Sequence, residues 1–404
     1  MQAHPRALGH AQILICAVCM GLLVSNMYFF QPLTPTIAAN MGWSLSQANA
    51  LNISCQVGVA LGLLFVVPLG DRIASRTLVL TMIALIVISL TLMVITSDWA
   101  VLLGLCLVLG VGLCGGQIMS PFIASLSAPS QRGRTFGTLI AGGMLAVTLS
   151  RPLATTLASS GTWKTVFFVS AACMSLAFWA VYRILPLVKP QPHGSYAQFV
   201  GAQFLLWHRV PLLRRRALCQ GFLFASLSGF WSVVPALLVS DTIGLSAHQM
   251  ASFTLIAVCG AIAAPLAGRL TDSNRAAEGI RLSLWLSVIA GLIAVSAIVD
   301  SSAWRVGLLL AAAALLDFSV TLHLVLSQQA VFESMPEARS RLNSLFMGTF
   351  FVGGALGSWA VMEVFSGYGW PAASAVVLAL TGAAAVAQRC CAHAPDSTQR
   401  PSTP

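Results

Sequence analysis

The chain has 404 residues, of which 57% are hydrophobic and only 8% charged, and its mean hydropathy is +0.87. A water-soluble domain carries about 25% charged residues, so this composition excludes a soluble enzyme or binding module and predicts a bilayer-embedded protein. The 21 Lys and Arg outnumber the 11 Asp and Glu for a net charge of +10. The cations interrupt apolar runs, where membrane topology accounts for them and nucleic-acid binding does not.

Apolar runs of the ~20 residues needed to cross a bilayer follow one another almost end to end. They predict spans at 11–33, 46–69, 77–96, 100–122, 135–158, 164–185, 217–239, 247–268, 281–299, 306–331, 342–364 and 370–389. The first run ends in Gln31-Pro32-Leu33-Thr34-Pro35 rather than a small-residue cleavage site, so no cleavable signal peptide is expected. Between the sixth and seventh spans lies a polar stretch with Lys189, Arg209 and Arg214-Arg215-Arg216, predicted to link two halves. The expected organisation is a six-helix bundle over 1–185, a cytoplasmic linker over 186–216, a second bundle over 217–389 and a cytoplasmic tail over 390–404. With the N-terminus in the cytoplasm, every Lys and Arg except Lys164, Arg305 and the intramembrane Arg151 lies inside. The positive-inside rule therefore predicts two cytoplasmic termini, and the expected location is the inner (plasma) membrane. Eight cysteines (Cys16, Cys19, Cys55, Cys106, Cys114, Cys173, Cys219, Cys259) fall in apolar stretches and read as small hydrophobes. The Cys390-Cys391 pair closes the last span and is expected to pack rather than to bind metal or lipid.

The halves resemble each other. Pro32 corresponds to Pro235, Gly42-Trp43-Ser44-Leu45-Ser46-Gln47 to Gly244-Leu245-Ser246-Ala247-His248-Gln249, and Asp71 to Asp272. The offset drifts by one residue per landmark, from 203 to 202 to 201. Two like halves in parallel orientation are a transporter signature, in which bundles rock about a site between them.

The loop Leu69-Gly70-Asp71-Arg72-Ile73-Ala74-Ser75-Arg76 resembles the signature loop of the major facilitator superfamily, Gly-x-Leu-x-Asp-Arg-x-Gly-Arg. Its second copy, Gly268-Arg269-Leu270-Thr271-Asp272-Ser273-Asn274-Arg275, keeps the Gly, Leu and Asp. Together with Gln31-Pro32-Leu33-Thr34-Pro35, the stretch Met335 to Asn343 and Phe350-Phe351-Val352-Gly353-Gly354-Ala355-Leu356-Gly357-Ser358, the chain resembles a bacterial branch of that superfamily. That branch is similar to sugar and nucleoside efflux pumps and drug–proton antiporters. The resemblance implies an all-α membrane protein of twelve helices in two pseudo-symmetric bundles. Drug–proton antiporters carry an Arg in span four, four residues before a Gly-x-Gly. Here Gly110-Val111-Gly112 is preceded by Cys106, so that relay does not transfer.

A charge at bilayer depth costs at least ~3 kcal/mol, which makes each one a functional candidate. Asp317 lies near the middle of span ten. A carboxyl group withdrawn from water there can bind and release a proton near neutral pH, or it can simply fix helix packing through neighbouring hydroxyls. His323 on the same helix is the second proton-coupling candidate, although it lies about 120° around the helix from Asp317 and packing alone also explains it. Arg151 reads as an anion-binding or gating residue, or as a snorkelling side chain. From these span limits it lies about 13 Å in height from Asp317, which argues against a direct ion pair. Asn26, Tyr28, Gln31, Asn52, Gln56, Gln117 and Trp231 join Arg151 as candidate lining of a substrate cavity; the polar ones also serve as interhelical glue. Asp71, Arg72, Arg76, Asp272 and Arg275 are candidate parts of a cytoplasmic gate that latches the bundles in one state.

No Gly-x-x-x-x-Gly-Lys-Ser/Thr loop, His-Glu-x-x-His or Gly-x-Ser-x-Gly motif occurs, so no ATP-driven step, enzyme activity, cofactor or metal is expected. The expected protein is a secondary active transporter of a small organic solute, coupled to protons, working as a monomer in the bilayer and exporting its substrate. Uptake by proton symport is the same-fold alternative; a receptor or channel is the alternative from another class.

Overall fold

A computed structural model describes residues 8–127, 131–188, 196–299 and 301–390. Its described residues are helical almost throughout. In chain order the helices are α1 (His10–Tyr28), α2 (Phe30–Met41), α3 (Leu45–Leu61), α4 (Ser75–Ile95), α5 (Trp99–Leu113), α6 (Gly115–Ser125), α7 (Arg132–Ser159), α8 (Trp163–Ile184), α9 (Tyr196–Arg209), α10 (Pro211–Val239), α11 (Ala247–Thr254), α12 (Val258–Asp272), α13 (Ala276–Ser296), α14 (Ser302–Ser334) and α15 (Arg339–Cys390). Several pairs are one bent span: α1 with α2, α5 with α6, and α11 with α12.

The 52-residue α15 would be roughly 78 Å long if straight, far beyond a bilayer. It doubles back at Gly369, whose φ of 71° and ψ of −170° suit only a residue without a Cβ. The reversal is visible in the packing: Gly353, before the bend, lies against the Gly221 carbonyl, while Ala384, after it, accepts a bond from the neighbouring Cys219 thiol. Among the described residues, the eleven helices long and apolar enough to cross a membrane therefore make twelve passes, because the last contains two.

The repeat survives at the level of individual bonds. Gly42, the cap of α2, and Gly244, in the turn after α10, both have positive φ, 67° and 68°. Ser44 and Ser246 then each accept from the backbone of Gln47 or Gln249, whose side chain reaches back to the serine N–H. These are capping boxes two residues after a left-handed turn.

In the first half α1 packs on α7, α3 on α5 and α4 on α8; in the second α10 packs on α15, and α14 on α12 and α13. The halves meet where α3 crosses α15, α2 reaches α10 and α11 lies on α7. Helix α10 is central, with 89% of its spanning window buried. Large apolar side chains such as Val18, Leu145, Leu176, Trp179, Trp285 and Trp359 are exposed around the circumference, as a protein solvated by lipid requires.

The end of the second span departs from α-helix. It continues as a π turn over Gly62–Val66 and a 3-10 turn over Val67–Asp71. Pro68 lacks an N–H, so carbonyls one turn earlier lose their usual partner. The linker helix α9 supplies substitutes: Tyr196 Oη donates to the Phe65 carbonyl at 2.6 Å, and Gln203 Nε2 to the Leu64 carbonyl at 3.4 Å. The polar linker thus contains a helix that braces the irregular end of span two. The tail beyond Cys390, including Cys391, lies outside the described residues.

Candidate substrate and coupling site

The site begins with two prolines. Pro32 has no N–H and its ring crowds the carbonyl of Tyr28, and the first span bends at Phe29 between α1 and α2. Pro235 stands in the same relation to Trp231 in α10. Tyr28 and Trp231 are therefore equivalent positions of the repeat, and their rings flank one side chain. The Arg151 guanidinium carbon lies 5.1 Å from the Tyr28 ring centre and 4.3 Å from that of Trp231, both within cation–π range.

Arg151, on α7, is 1% exposed. Its Nε and Nη2 both donate to Gln31 Oε1, at 3.1 and 3.0 Å. Its Nη1 makes no hydrogen bond and lies 4.0 Å from Asp317 Oδ1. Asp317, on α14, is 6% exposed and accepts from Trp231 Nε1 at 2.9 Å through Oδ2. Tyr28, Gln31 and Arg151 belong to the first half, and Trp231 and Asp317 to the second. The cluster is thus an electrostatic link across the bundle interface, and Asp317 is the one buried acid among the described residues.

This placement corrects the expected 13 Å separation. Counted from one common face, the two residues are close in height. Asp317 lies about 26 Å from the Ser334 end of α14, and Arg151 about 28 Å from the Arg132 end of α7. Those two ends share the arginine-rich face of the molecule, so the residues are nearly level, and the arginine stem spans the rest.

The remaining candidates divide. Asn26 belongs to the first half alone: its Nδ2 donates to the Leu22 carbonyl and its Oδ1 accepts from Ser170. Asn52 and Gln56 do face the second half. Asn52 Nδ2 donates to Ser358 Oγ at 3.2 Å, and Gln56 Nε2 to Ser228 Oγ at 3.0 Å. Their Oδ1 and Oε1 have no partner. Gln117 sits apart, toward the arginine-rich face, accepting from Asn343 Nδ2 at 3.0 Å, while Asn343 Oδ1 accepts from Gln328 at 2.8 Å. That chain joins α6 to α14 and α15.

His323 does not share the central cluster. It is fully buried inside the second half, with Nδ1 2.5 Å from Gln220 Oε1 and Nε2 3.3 Å from Cys219 Sγ. The six-residue spacing from Asp317 turns it onto another face of α14.

Of the gate candidates, Arg76 donates to the Tyr182 carbonyl at 2.6 Å and covers the Tyr182 ring, within its own half. Arg275 pairs with Glu278 at 2.6 Å, not with Asp272, which ends α12. The Arg72 N–H donates to the Leu69 carbonyl at 2.9 Å. The Asp71 side chain lies outside the described residues. Among the described residues, then, Arg275 is held by Glu278 rather than by Asp272.

Sequence reasoning passed over Asn49, Ser228, Ser232 and Ser358. Asn49 exchanges bonds with the backbone and hydroxyl of Ser358, and Ser358 Oγ lies 2.6 Å from Ser232 Oγ. Asn49 stands three residues before Asn52 on the same helical face, a signal that could have been read. It also passed over the equivalence of Tyr28 and Trp231, although the same offset relates the two prolines.

Twelve passes in two like halves, with the buried Arg151–Asp317 pair where the halves meet, define a polytopic solute carrier. A family model of the Major Facilitator Superfamily matches residues 13–217 and 216–404, and the chain belongs to that superfamily. The uncharacterized transporter YgaY of Escherichia coli O157:H7 is 32% identical over 374 residues, covering 90% of this chain and 91% of YgaY. The multidrug efflux protein YfmO of Bacillus subtilis (strain 168) is 25% identical, with 85% and 84% of the two chains covered. Among solved structures, a mutant of the nucleoside transporter NupG superposes with a TM-score of 0.70 at 12% identity, over 94% of this chain and 98% of that one; this likeness bears on the fold. The protein is accordingly a multi-pass membrane transporter of small-molecule substrates.

Proposed function

We propose that the protein is a proton-coupled secondary transporter that exports a small organic solute by alternating access, with Asp317 as the proton-binding group. The observation that carries this reading is the Arg151–Asp317 pair, 4.0 Å apart and joining the two halves in a buried site. At an effective dielectric near 20, two charges at that distance attract by about 4 kcal/mol before desolvation is subtracted. While Asp317 is ionised, that attraction favours the packed arrangement. A proton on Asp317 removes it, and the halves are released to rock about the site. Export follows if solute and proton compete for the same carboxylate, and the resemblance to a multidrug efflux protein supports that direction.

In this reading both termini are cytoplasmic, the arginine-rich face is the inner one and the protein sits as a monomer in the inner membrane. Residues 1–185 and 217–389 form the rocking bundles, 186–216 the linker and 390–404 the tail. Tyr28, Gln31, Arg151 and Trp231 line the central site with Asn52 and Gln56 beside it. Gln117 and Asn26 have positioning roles within the same framework. His323 is a secondary protonation candidate within the second bundle, and Asp71, Arg72, Arg76, Asp272 and Arg275 form a gate in another conformation.

A second reading, proton-coupled uptake, is favoured by one feature: Arg151 Nη1 has no hydrogen-bond partner. An anionic solute that joined Arg151 as Asp317 took up a proton would travel with the proton. Reconstitution in proteoliposomes decides between them, using a solute found by a ligand-stabilisation screen of the purified protein. Under export, an opposing proton gradient drives flux and Asp317→Asn abolishes the driven flux while counterflow persists. Gradient-driven flux that persists in Asp317→Asn overturns the coupling assignment. Flux driven in the direction of the proton gradient selects uptake, and absence of counterflow removes the carrier reading.

A further inference from the structure

The start of α10 carries an electrostatic arrangement that transport does not use. Helix α10 begins at Pro211 with no side-chain cap and no acidic residue in its first turn. Arg214, Arg215 and Arg216 occupy its fourth to sixth positions. Positive side chains near a helix N-terminus face the positive end of the macrodipole, an effect that fades within the first turn, so the backbone gives this run no counter-charge.

A role in topology explains arginines at the membrane edge, but such side chains extend to water. Arg216 does not. It is only 8% exposed, and its Nε and Nη1 are buried without a hydrogen-bond partner. Arg215 likewise has a buried, unpartnered Nε. Neither is in an ion pair among the described residues. The titratable groups that act on Arg216 are Arg215 and Cys219, neither of them an acid. On its own helix Cys219 and Gln220 lie one turn away, and across from them is His323, bonded to Gln220. On α15 the nearest polar side chain past Ala384, which Cys219 contacts, is Gln388, whose Oε1 is also buried without a donor. A buried guanidinium with unbonded N–H groups is costly unless an anion compensates it.

We infer that Arg215 and Arg216, beside the uncapped first turn of α10, bind a phosphate group. A phosphate offers paired oxygens to the guanidinium fork and takes the negative position at a helix start. Because α10 is a 29-residue spanning helix, its first turn lies at bilayer-edge depth, where lipid headgroup phosphates are found. The source is an anionic phospholipid of the leaflet that meets the arginine-rich face.

The test uses the full-length protein in neutral detergent and reads thermal unfolding, so it does not depend on transport. Phosphatidylglycerol is titrated against phosphatidylcholine and against sodium phosphate at constant ionic strength. The expected result is a saturable rise in unfolding temperature with phosphatidylglycerol and none with phosphatidylcholine. Arg216→Gln weakens the apparent affinity at least tenfold, whereas Arg281→Gln, at an exposed arginine of α13, leaves it unchanged. If Arg216→Gln does not purify, Arg215→Gln and Arg216→Lys, which loses the fork but keeps the charge, serve in its place, each expected to weaken binding. An equal response to sodium phosphate alone keeps the phosphate assignment and overturns the lipid source. No response in the wild-type protein, or equal responses in wild type and all arginine variants, overturns the site.

Discussion

Breaking the central pair is the sharpest perturbation available. Asp317→Asn removes the negative charge 4.0 Å from Arg151 Nη1 but leaves an oxygen able to accept from Trp231 Nε1. The lost attraction is about 4 kcal/mol at an effective dielectric near 20, and an arginine 1% exposed is left without a counter-charge. Breaking a buried pair from one side typically costs 3–5 kcal/mol, whereas replacing both charges is often nearly neutral. Asp317→Asn and Arg151→Gln are each therefore expected to destabilise the protein by at least about 3 kcal/mol, and the double variant by no more than about 4 kcal/mol, well short of the sum of the two. Reversible unfolding in detergent–denaturant mixtures measures the cycle. Additive single effects, within about 0.5 kcal/mol, would refute the reasoning, because the two side chains would then not interact. A cation–π contribution from Tyr28 and Trp231 sets the residual: the Arg151→Gln change in the double variant also removes both ring contacts, each worth ~0.5–2 kcal/mol.

Other expectations follow from the same geometry. Trp231→Phe keeps the ring against Arg151 but deletes the Nε1–H donor to Asp317; a stability loss of about 1.5–3 kcal/mol is expected in the same unfolding assay. Gly353→Ala would place a Cβ against the Gly221 carbonyl where α15 crosses α10, and is expected to cost about 1–3 kcal/mol. Gly382→Ala on the same element meets open space and should be neutral or stabilising by up to ~1 kcal/mol; equal losses at the two positions would argue against a close helix crossing. Asn343→Ala removes both bonds of the Gln117–Asn343–Gln328 chain and should loosen the arginine-rich face, measured as a broader distance distribution between spin labels on α6 and α15. Tyr196→Phe deletes the donor to the Phe65 carbonyl, with an expected loss of about 1 kcal/mol and faster hydrogen exchange confined to residues 62–71.

What the chain's order of residues determines by itself is everything that depends on local periodicity and length. Runs of apolar residues dictate membrane passes, because an unpaired backbone cannot lie in hydrocarbon. Gly42-x-Ser44 and Gly244-x-Ser246 specify matching left-handed turns and capping boxes, since only nearby atoms take part. The repeat was legible for the same reason, and with it the architecture of two like halves. Asp317, Arg151, Gln31, Tyr28 and Trp231 could be singled out individually, from the cost of charge in a bilayer and the scarcity of polar groups there.

Which of them meet was decided only by the tertiary structure. A height counted along one helix depends on where that span is taken to begin and on which face it is counted from, and only the packed helices show Arg151 Nη1 4.0 Å from Asp317 Oδ1. The π and 3-10 turns that end span two, the reversal hidden inside α15 and the rotation that sends His323 away from Asp317 also arise from packing between distant helices. Arg151 was visible as a charge; that it bridges two halves through Asp317, between two repeat-related aromatic rings, required those halves to be brought together.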